Sequence, residues 1–516
     1  MEQNIRKNLM VVFLISLAIL GRFVIEYLFQ VAWDYFDLSS VTGIIFRTIT
    51  VIIFVIIWLS VTFRSDSPHQ KLPWLLVLTF EPVLGITLFL TFGRSFRRSL
   101  RYRNRPLMVD DKYITREMKP GTLDGPLDTY DLRTQNLLKS AHRITRHQPF
   151  IDDSSVEVLK NGETFYPALI QSIKEAKHFI LFQFFIIRSD KRGREIVDLL
   201  MQKAEDGVEV KMIMDGLGSA RMKRRYRREI QRSAIDLVIQ DKVYFPLFNT
   251  RIHYRNHRKN VVIDGLVAYT GGMNIGNEYD NRIPHDYYFR DTQLKIEGAL
   301  VHSLTALFFK DYYYNTNQFI DSAYYYPAPK QVSEKGAYQL LESGPDHKEA
   351  SIRDMVVKMI HAAQESIRIM TPYMALDPET LNALKTAATS GINVEIIVPG
   401  TPDKYVVYKV TKYFISNLMA DGVNVYHYEK GFSHAKVIII DDMYASVGSY
   451  NMDYRSAMVD FELSVLMAST DAVRTLIDDF EADKQDSILI DQERWEARSL
   501  FNRVLESVMS YFTPII

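Results

Sequence analysis

Residues 257–274 read HRKNVVIDGLVAYTGGMN, and residues 434–451 read HAKVIIIDDMYASVGSYN. His257, Lys259, Asp264, Gly271 and Asn274 stand at offsets 0, +2, +7, +14 and +17, and His434, Lys436, Asp441, Gly448 and Asn451 repeat the same five offsets. Val261-Val262-Ile263 and Val437 to Ile440 are β-branched strand sequences. Each runs into a turn, at Asp264-Gly265 or Asp441-Asp442, and then a second apolar strand. A His and a Lys two residues apart project from one face of a strand. Gly271-Gly272 and Gly448-Ser449 end the return strands, where small residues let backbone come close to the cluster. Each copy therefore presents a His/Lys/Asn group at one end of a hairpin.

The repetition extends outward from these hairpins. A helical run over Phe165 to Ala176 leads into the apolar strand Phe179 to Ile187, and Met355 to Ala363 leads into Ile367 to Tyr373. Asp206-Gly207 precedes the strand Val208 to Met214, just as Ser390-Gly391 precedes Val394 to Val398. Helix–glycine–strand alternation of this kind predicts α/β architecture with a parallel or mixed sheet. Two homologous halves, 151–330 and 331–516, are the economical reading. The connector from Asn315 to Glu342, with Tyr324-Tyr325-Tyr326, Pro327 and Pro329, marks the boundary.

One His/Lys/Asn cluster is half of a catalytic apparatus. Exchange at a phosphodiester requires a nucleophile, donors for the equatorial oxygens, and a proton for the departing alkoxide. Two imidazoles, one neutral and one protonated, supply the first and last. Lys259, Lys436, Asn274 and Asn451 supply donors aimed at the phosphoryl group. The chemistry needs neither metal nor other cofactor, and it requires the halves to face each other across a pseudo-dyad.

The 516 residues carry 62 Lys+Arg and 62 Asp+Glu, with no Cys, so disulfides, thiolate metal sites and Cys nucleophiles are excluded. The balance hides an asymmetry, since only 12 charged residues fall among the first 93. Three apolar stretches, Leu9 to Leu28, Val41 to Phe63 and Leu72 to Phe92, approach the roughly 20 residues of a membrane-crossing helix. Residues 1–93 thus read as an anchor with two or three hydrophobic segments, and the first is a retained segment because no small-residue cleavage signature follows it. Arg94 to Arg105 holds six arginines and no acid, while Trp33 to Asp37 holds two aspartates and no base. The positive-inside rule puts 94–150, a basic juxtamembrane linker, and everything after it in the cytoplasm. Three crossings from a cytoplasmic N-terminus would end on the wrong side, so either the N-terminus lies outside or one segment fails to span, the first with Arg22 and Glu26 or the third with Pro73, Glu81, Pro82 and Gly85. A second basic cluster, Arg221 to Arg232, reads either as a solvated surface or as a contact for anionic headgroups.

The doubled His-x-Lys-x4-Asp-x6-Gly pattern resembles the signature of the phospholipase D superfamily, and its flanks resemble bacterial cardiolipin synthases. The matching stretches include Tyr269 to Asn274, Arg290-Asp291-Thr292, Ser343-Gly344-Pro345-Asp346, Thr371-Pro372-Tyr373, Asn451 to Ser456 and Phe461-Glu462. Trp74-Leu75-Leu76, Pro82, Gly85 and Phe92-Gly93-Arg94 are similar to that family's last N-terminal hydrophobic segment. The resemblance implies two phospholipase D-like α/β/α sandwich domains behind N-terminal transmembrane helices in a bacterial cell membrane. It implies condensation of two phosphatidylglycerols to cardiolipin and glycerol, through a phosphatidyl-histidine on His257 with His434 as acid and base.

The family also orients its imidazoles with carboxylates. Glu462 is the expected partner of His434, and Asp291 that of His257, with Asp286 as competitor. Within the motifs, Asp264 and Asp441 belong to the catalytic set, although bracing of the strand turns suits them better than proton transfer. Gln293 stands where relatives often have His, and Asn260 replaces an apolar residue. The expected partners are phosphatidylglycerol and anionic membrane lipids, and no nucleic acid. A phospholipase D or a transphosphatidylase using another acceptor would carry the same residues. A superfamily nuclease is disfavoured by the anchor, and an inactive scaffold by two complete motifs.

Overall fold

The computed structural model describes residues 41–63, 68–82, 85–86, 89, 126–242, 254–347, 350–511 and 513. The first hydrophobic stretch, the Trp33 to Asp37 loop and the Arg94 to Arg105 run lie outside these residues. The described residues between 41 and 89 belong to one compact unit, and those from 126 onward to another.

In the first unit, helix Val41–Thr62 packs against helix Pro68–Phe80. Ile57, Val61 and Leu78 are buried between them, with Trp58, Trp74 and Leu75 alongside. Trp58 Nε1 donates to Thr79 Oγ1 (3.4 Å), and Lys71 Nζ donates to the Thr62 carbonyl (3.2 Å). The longer helix leaves Ile44, Ile49, Ile52, Val55 and Ile56 exposed. Among the described residues, no helix is long and apolar enough to cross a membrane.

The second unit carries the repeat. One mixed sheet orders its strands Ser154–Lys160, Thr292–Gly298, Val267–Gly271, Asn260–Ile263, Phe179–Phe184, Glu209–Asp215, Asp236–Gln240. The other repeats this order with Ala337–Ser343, Glu462–Ala468, Tyr444–Gly448, Val437–Ile440, Ser366–Met370, Asn393–Pro399 and Asn424–Tyr428. It adds Phe150–Ile151 at one edge and Ser487–Leu489 at the other. Phe179–Phe184 is buried at every position, the pattern of a strand covered on both faces. Helices Asn161–Glu175, Lys191–Glu205 and Arg224–Arg232 share one core with Ile180, Phe182, Met212, Val261 and Ile263.

The alternate residues of that sheet point the other way, into a second core common to both halves. Leu181, Ile213, Val262 and Leu294 meet Leu340, Ile397, Ile439 and Val465 there, together with helix Leu300–Thr316 and Phe480 of helix Asp471–Gln485. Period-two alternation thus gives each strand one face for its own half and one for the shared core. The boundary expected at 330 separates two repeats but not two compact bodies.

The 94–150 segment is also more than a linker where it is described. Asp131 caps helix Leu132–Thr145 by accepting from Arg133 N and Thr134 N (2.8 and 3.0 Å). Arg133 of this helix pairs with Asp441, and Thr134 Oγ1 lies 2.7 Å from the Tyr444 hydroxyl. Its buried Leu137, Leu138 and Ala141 explain why the charged stretch folds. The basic cluster at Arg221 to Arg232 forms helix Arg224–Arg232, which buries only Tyr226 and Ile230.

Candidate active site

The two hairpins bring their histidines to the junction of the halves. Asn256 bridges Phe461 in parallel, and the His257 amide donates to the Phe461 carbonyl (3.0 Å). Related by the pseudo-dyad, strand Gly431–Ser433 pairs in parallel with Tyr288–Arg290, and the His434 amide donates to the Arg290 carbonyl (2.6 Å). The backbone leading into each His is therefore stitched to the backbone leading into a carboxylate of the other half.

This stitching reverses the expected carboxylate assignment. His257 Nδ1 lies 3.0 Å from Glu462 Oε1 and 3.1 Å from the Ser449 carbonyl, whereas His434 Nδ1 lies 2.7 Å from Asp291 Oδ2. Each imidazole is oriented by the opposite half, and Asp286 partners neither. With Nδ1 donating to a carboxylate, Nε2 is the nitrogen left for chemistry in both rings. Both histidines are nearly buried, with 12% and 10% of their side chains exposed. Phe185 packs edge-on against His257 at 5.0 Å between ring centres, and Phe289 lies 5.3 Å from His434.

Burial controls the electrostatics. It lowers the His257 imidazole well below its usual range, helped by Lys259, and it lowers His434 to about 4, helped by Lys436. It also depresses Lys259 to about 7 and Lys436 to about 8, against the pull of Glu462 and Asp291, and raises Glu462 to about 7. Lys259 Nζ donates to the His257 carbonyl (2.7 Å), and Lys436 donates to that of His434. An anionic phosphodiester entering this junction would favour the charged forms of both lysines and both imidazoles, against the burial that disfavours them.

The other candidates fall in different places. Asp264 accepts from the amides of Lys177, His178 and Phe179 (2.8 to 2.9 Å), and Asp441 from those of Gln364, Glu365 and Ser366 (2.7 to 2.8 Å). Each sits at the far end of its strand, about 16 Å of chain from the motif lysine, so neither belongs to the catalytic cluster. Asn274 is engaged in bracing, since its Oδ1 accepts from the Ile186 amide (3.1 Å) and its Nδ2 donates to the Tyr279 hydroxyl (3.1 Å). Asn451 is buried, and its Oδ1 has no hydrogen-bond partner among the described residues. Asn260 donates to the Leu304 carbonyl (2.8 Å), and Gln293 Oε1 accepts from the Met273 amide (3.2 Å), so both departures from the family pattern serve packing.

Sequence reasoning missed Ser449, which counted only as a small residue. Its hydroxyl donates to Glu462, its carbonyl faces His257, and it accepts from the Leu463 amide (3.0 Å). The repeat places Gly272 at the equivalent position, where an added Cβ would lie 2.1 Å from Asp291 Oδ1. Gly272→Ala is therefore expected to displace Asp291, misalign His434 and lower turnover by about 10²-fold, measured as initial rate on lipid substrate.

A family profile described as cardiolipin synthase, phospholipase D-like domain, matches residues 169–281 and 356–484, which bracket the two motifs. A cardiolipin synthase of Halalkalibacterium halodurans is 34% identical over 95% of this chain and 96% of its own length. Cardiolipin synthase 2 of Bacillus anthracis is 35% identical over 88% of each chain. The fold is also that of the crystal structure of phosphatidylserine synthase from Haemophilus influenzae, with a TM-score of 0.56 at 17% identity over 73% of this chain and 97% of that one. Two repeats meeting at paired histidines, and full-length similarity of this degree, show that the chain belongs to the cardiolipin synthase family of phospholipase D-like enzymes.

Proposed function

We propose that the enzyme condenses two phosphatidylglycerols into cardiolipin and glycerol, with His257 as nucleophile and His434 as acid and base. The observation that carries this reading is the pair of carboxylate-oriented imidazoles flanked by Lys259 and Lys436 in one buried junction. The substrate phosphate, entering beside the two motif lysines, favours the protonated form of His434; His257 Nε2 then attacks phosphorus as the P–O bond to glycerol breaks, and His434 Nε2–H delivers its proton to the departing oxygen. The terminal hydroxyl of a second phosphatidylglycerol then gives its proton to His434 and attacks phosphorus. The P–N bond breaks, cardiolipin leaves and both histidines are restored. Lys259 and Lys436 stabilise the equatorial oxygens in both halves of the cycle. Water as acceptor would make the protein a phospholipase D instead.

Purified enzyme incubated with phosphatidylglycerol alone is expected to yield cardiolipin and glycerol in equal amounts. Phosphatidic acid and glycerol as products would establish the hydrolase, and absence of turnover in varied lipid and detergent would favour a scaffold.

The lysines also set a pH dependence. Their pKa values of about 7 and about 8 in the free site lie below the usual lysine value, so anion binding requires protons that are lost as pH rises through this window. Affinity for tungstate, whose charge is constant across the range, is expected to be highest below pH 7. Calorimetry should show it falling by up to about tenfold per pH unit for each proton required.

The exposed apolar side chains of helix Val41–Thr62 support a membrane anchor for the first unit, and the arginine-rich run Arg94 to Arg105 supports catalytic halves in the bacterial cytoplasm. The chain has no native Cys, so single introduced cysteines can be labelled from either side of the membrane. Labelling of catalytic-half positions from the periplasm alone would reverse the proposed orientation.

A further inference from the structure

Helix Leu500–Ser510 sorts its side chains into sectors. Glu506 and Met509 are buried against the protein, while Leu500, Phe501, Val504, Val508 and Tyr511 are 44% to 80% exposed. At 3.6 residues per turn those five fall within an arc of about 100° on the outward side. Scattered apolar residues on a surface are ordinary, but a continuous helical stripe facing away from its own core marks an interaction surface.

The stripe is held rigidly. Glu506 Oε2 lies 2.9 Å from Arg498 Nη1, and Lys409 Nζ of helix Tyr405–Met419 donates to Asn502 Oδ1 (3.0 Å). The buried face of that neighbouring helix reaches towards the catalytic junction. Thr411 Oγ1 accepts from the Met374 amide (3.1 Å), Met374 pairs with Met452, and Met452 follows Asn451 of the second motif. The N-cap Lys404 is exposed and the helix carries the half-buried Lys412, which burial lowers to about 8; neither is ion-paired among the described residues. Lys404 lies over the Tyr373 ring (4.9 Å), and Lys412 over the Tyr408 ring (4.6 Å). An apolar stripe beside aromatic rings and lysines, one of them exposed at the helix N-cap, is the composition of a surface lying in the headgroup region of an anionic bilayer.

We infer that helices Tyr405–Met419 and Leu500–Ser510 form a surface that docks the catalytic unit onto an anionic bilayer, with the apolar stripe inserted and the lysines at the phosphates. This rests on the proposed lipid substrate: the two histidines are nearly buried, so a headgroup reaches them only if the site's mouth meets the membrane. A second copy of the chain would also cover the apolar stripe, but would leave Lys404 and Lys412 without anions.

The test uses the full chain in phosphatidylglycerol-containing vesicles, with a fluorophore on Val504→Cys or, as a polar control, on Arg494→Cys. Spin-labelled acyl chains are expected to quench the label at 504 at least threefold more than that at 494. Quenching of both by aqueous iodide alone, or crosslinking of Val504→Cys between copies at high lipid dilution, would overturn the inference. In parallel, Val504→Asp/Val508→Asp is expected to lose at least tenfold of wild-type activity on vesicles while staying within twofold of it in detergent micelles. Unchanged vesicle activity would also overturn the inference, and an equal loss in both media leaves the quenching result to decide. Failure of the wild type to make cardiolipin in either medium would reject the proposed reaction, while lipid quenching at 504 would still establish docking.

Discussion

Replacing either His257 or His434 with alanine is expected to lower cardiolipin formation by about 10³-fold or more, and the double variant should be little worse than either single one. Each step uses both rings, one bonded to phosphorus and one moving the proton, so removal of either stops the cycle and the losses do not add. Full activity in either variant would sink the two-histidine mechanism. Acid-quenched single-turnover samples with labelled phosphatidylglycerol are expected to carry label on His257. Label trapped on His434 and never on His257 would reverse the roles. The crossed carboxylates add a sharper expectation. Glu462→Gln should change the Nδ1 resonance of His257 and spare that of His434, and Asp291→Asn should do the converse, as read by nitrogen NMR of the ring atoms. A shift of the same-half imidazole in both cases would contradict the crossed pairing.

The largest stability effect is expected at Arg258, which is fully buried beside the nucleophile yet points away from it. Its guanidinium reaches Asp311 Oδ1 (2.5 Å), Glu342 Oε2 (2.9 Å) and the carbonyls of Glu462 and Ser343 (both 3.1 Å). Lys310 adds contacts to Glu342 (3.0 Å) and Asp346 (3.2 Å), and His147 lies 3.1 Å from Glu342. Burial alone would push Glu342 up, but Lys310, His147, His347 and Arg258 hold it well below the usual carboxylate range. Arg258→Ala leaves the buried Asp311 without its main counter-charge and removes one of those on Glu342, and should destabilise the fold by about 3–5 kcal/mol. Arg258→Lys should recover little, because an ammonium cannot reproduce the planar fork that spans four acceptors. Arg225→Ala, which breaks the exposed pair with Glu229, should cost no more than about 1 kcal/mol. Pulse proteolysis of the detergent-solubilised full chain would compare the three. The sign of the pH effect of Glu342 follows from its lowered pKa: its contribution is present above the ordinary carboxylate pKa and is lost as pH falls through the folded value, whereas Asp311, raised by burial, contributes in the opposite sense.

Much of this was legible in the chain itself. Two His-x-Lys hairpins at matching offsets specified two imidazoles and two lysines, because strand periodicity places residues i and i+2 on one face whatever surrounds them. The helix–glycine–strand alternation likewise specified two α/β halves, and the seven-strand order repeats in both sheets. The bracing role favoured for Asp264 and Asp441 needed only the left-handed turn that follows each strand, with φ of 53° and 50°. These are local matters, decided within a few residues of the side chain concerned.

What the chain could not reveal depends on contacts across long separations. Glu462 is 205 residues from His257, and Asp291 is 143 from His434. A tandem repeat offers two self-consistent assignments, within halves or between them, and sequence spacing favours the wrong one. The choice is made by backbone hydrogen bonds across the dyad, donated by the His257 amide to Phe461 and by the His434 amide to Arg290. Arg258 was obscured for the same reason. As a spacer between His257 and Lys259 it points to the opposite side of the strand, where only the assembled second half provides Glu342 and Ser343 to receive it. Sequence therefore determined which chemical groups the site contains, since strand geometry is local. Tertiary structure decided which groups act on each other, since pairing between halves exists only once both sheets have packed on their common core.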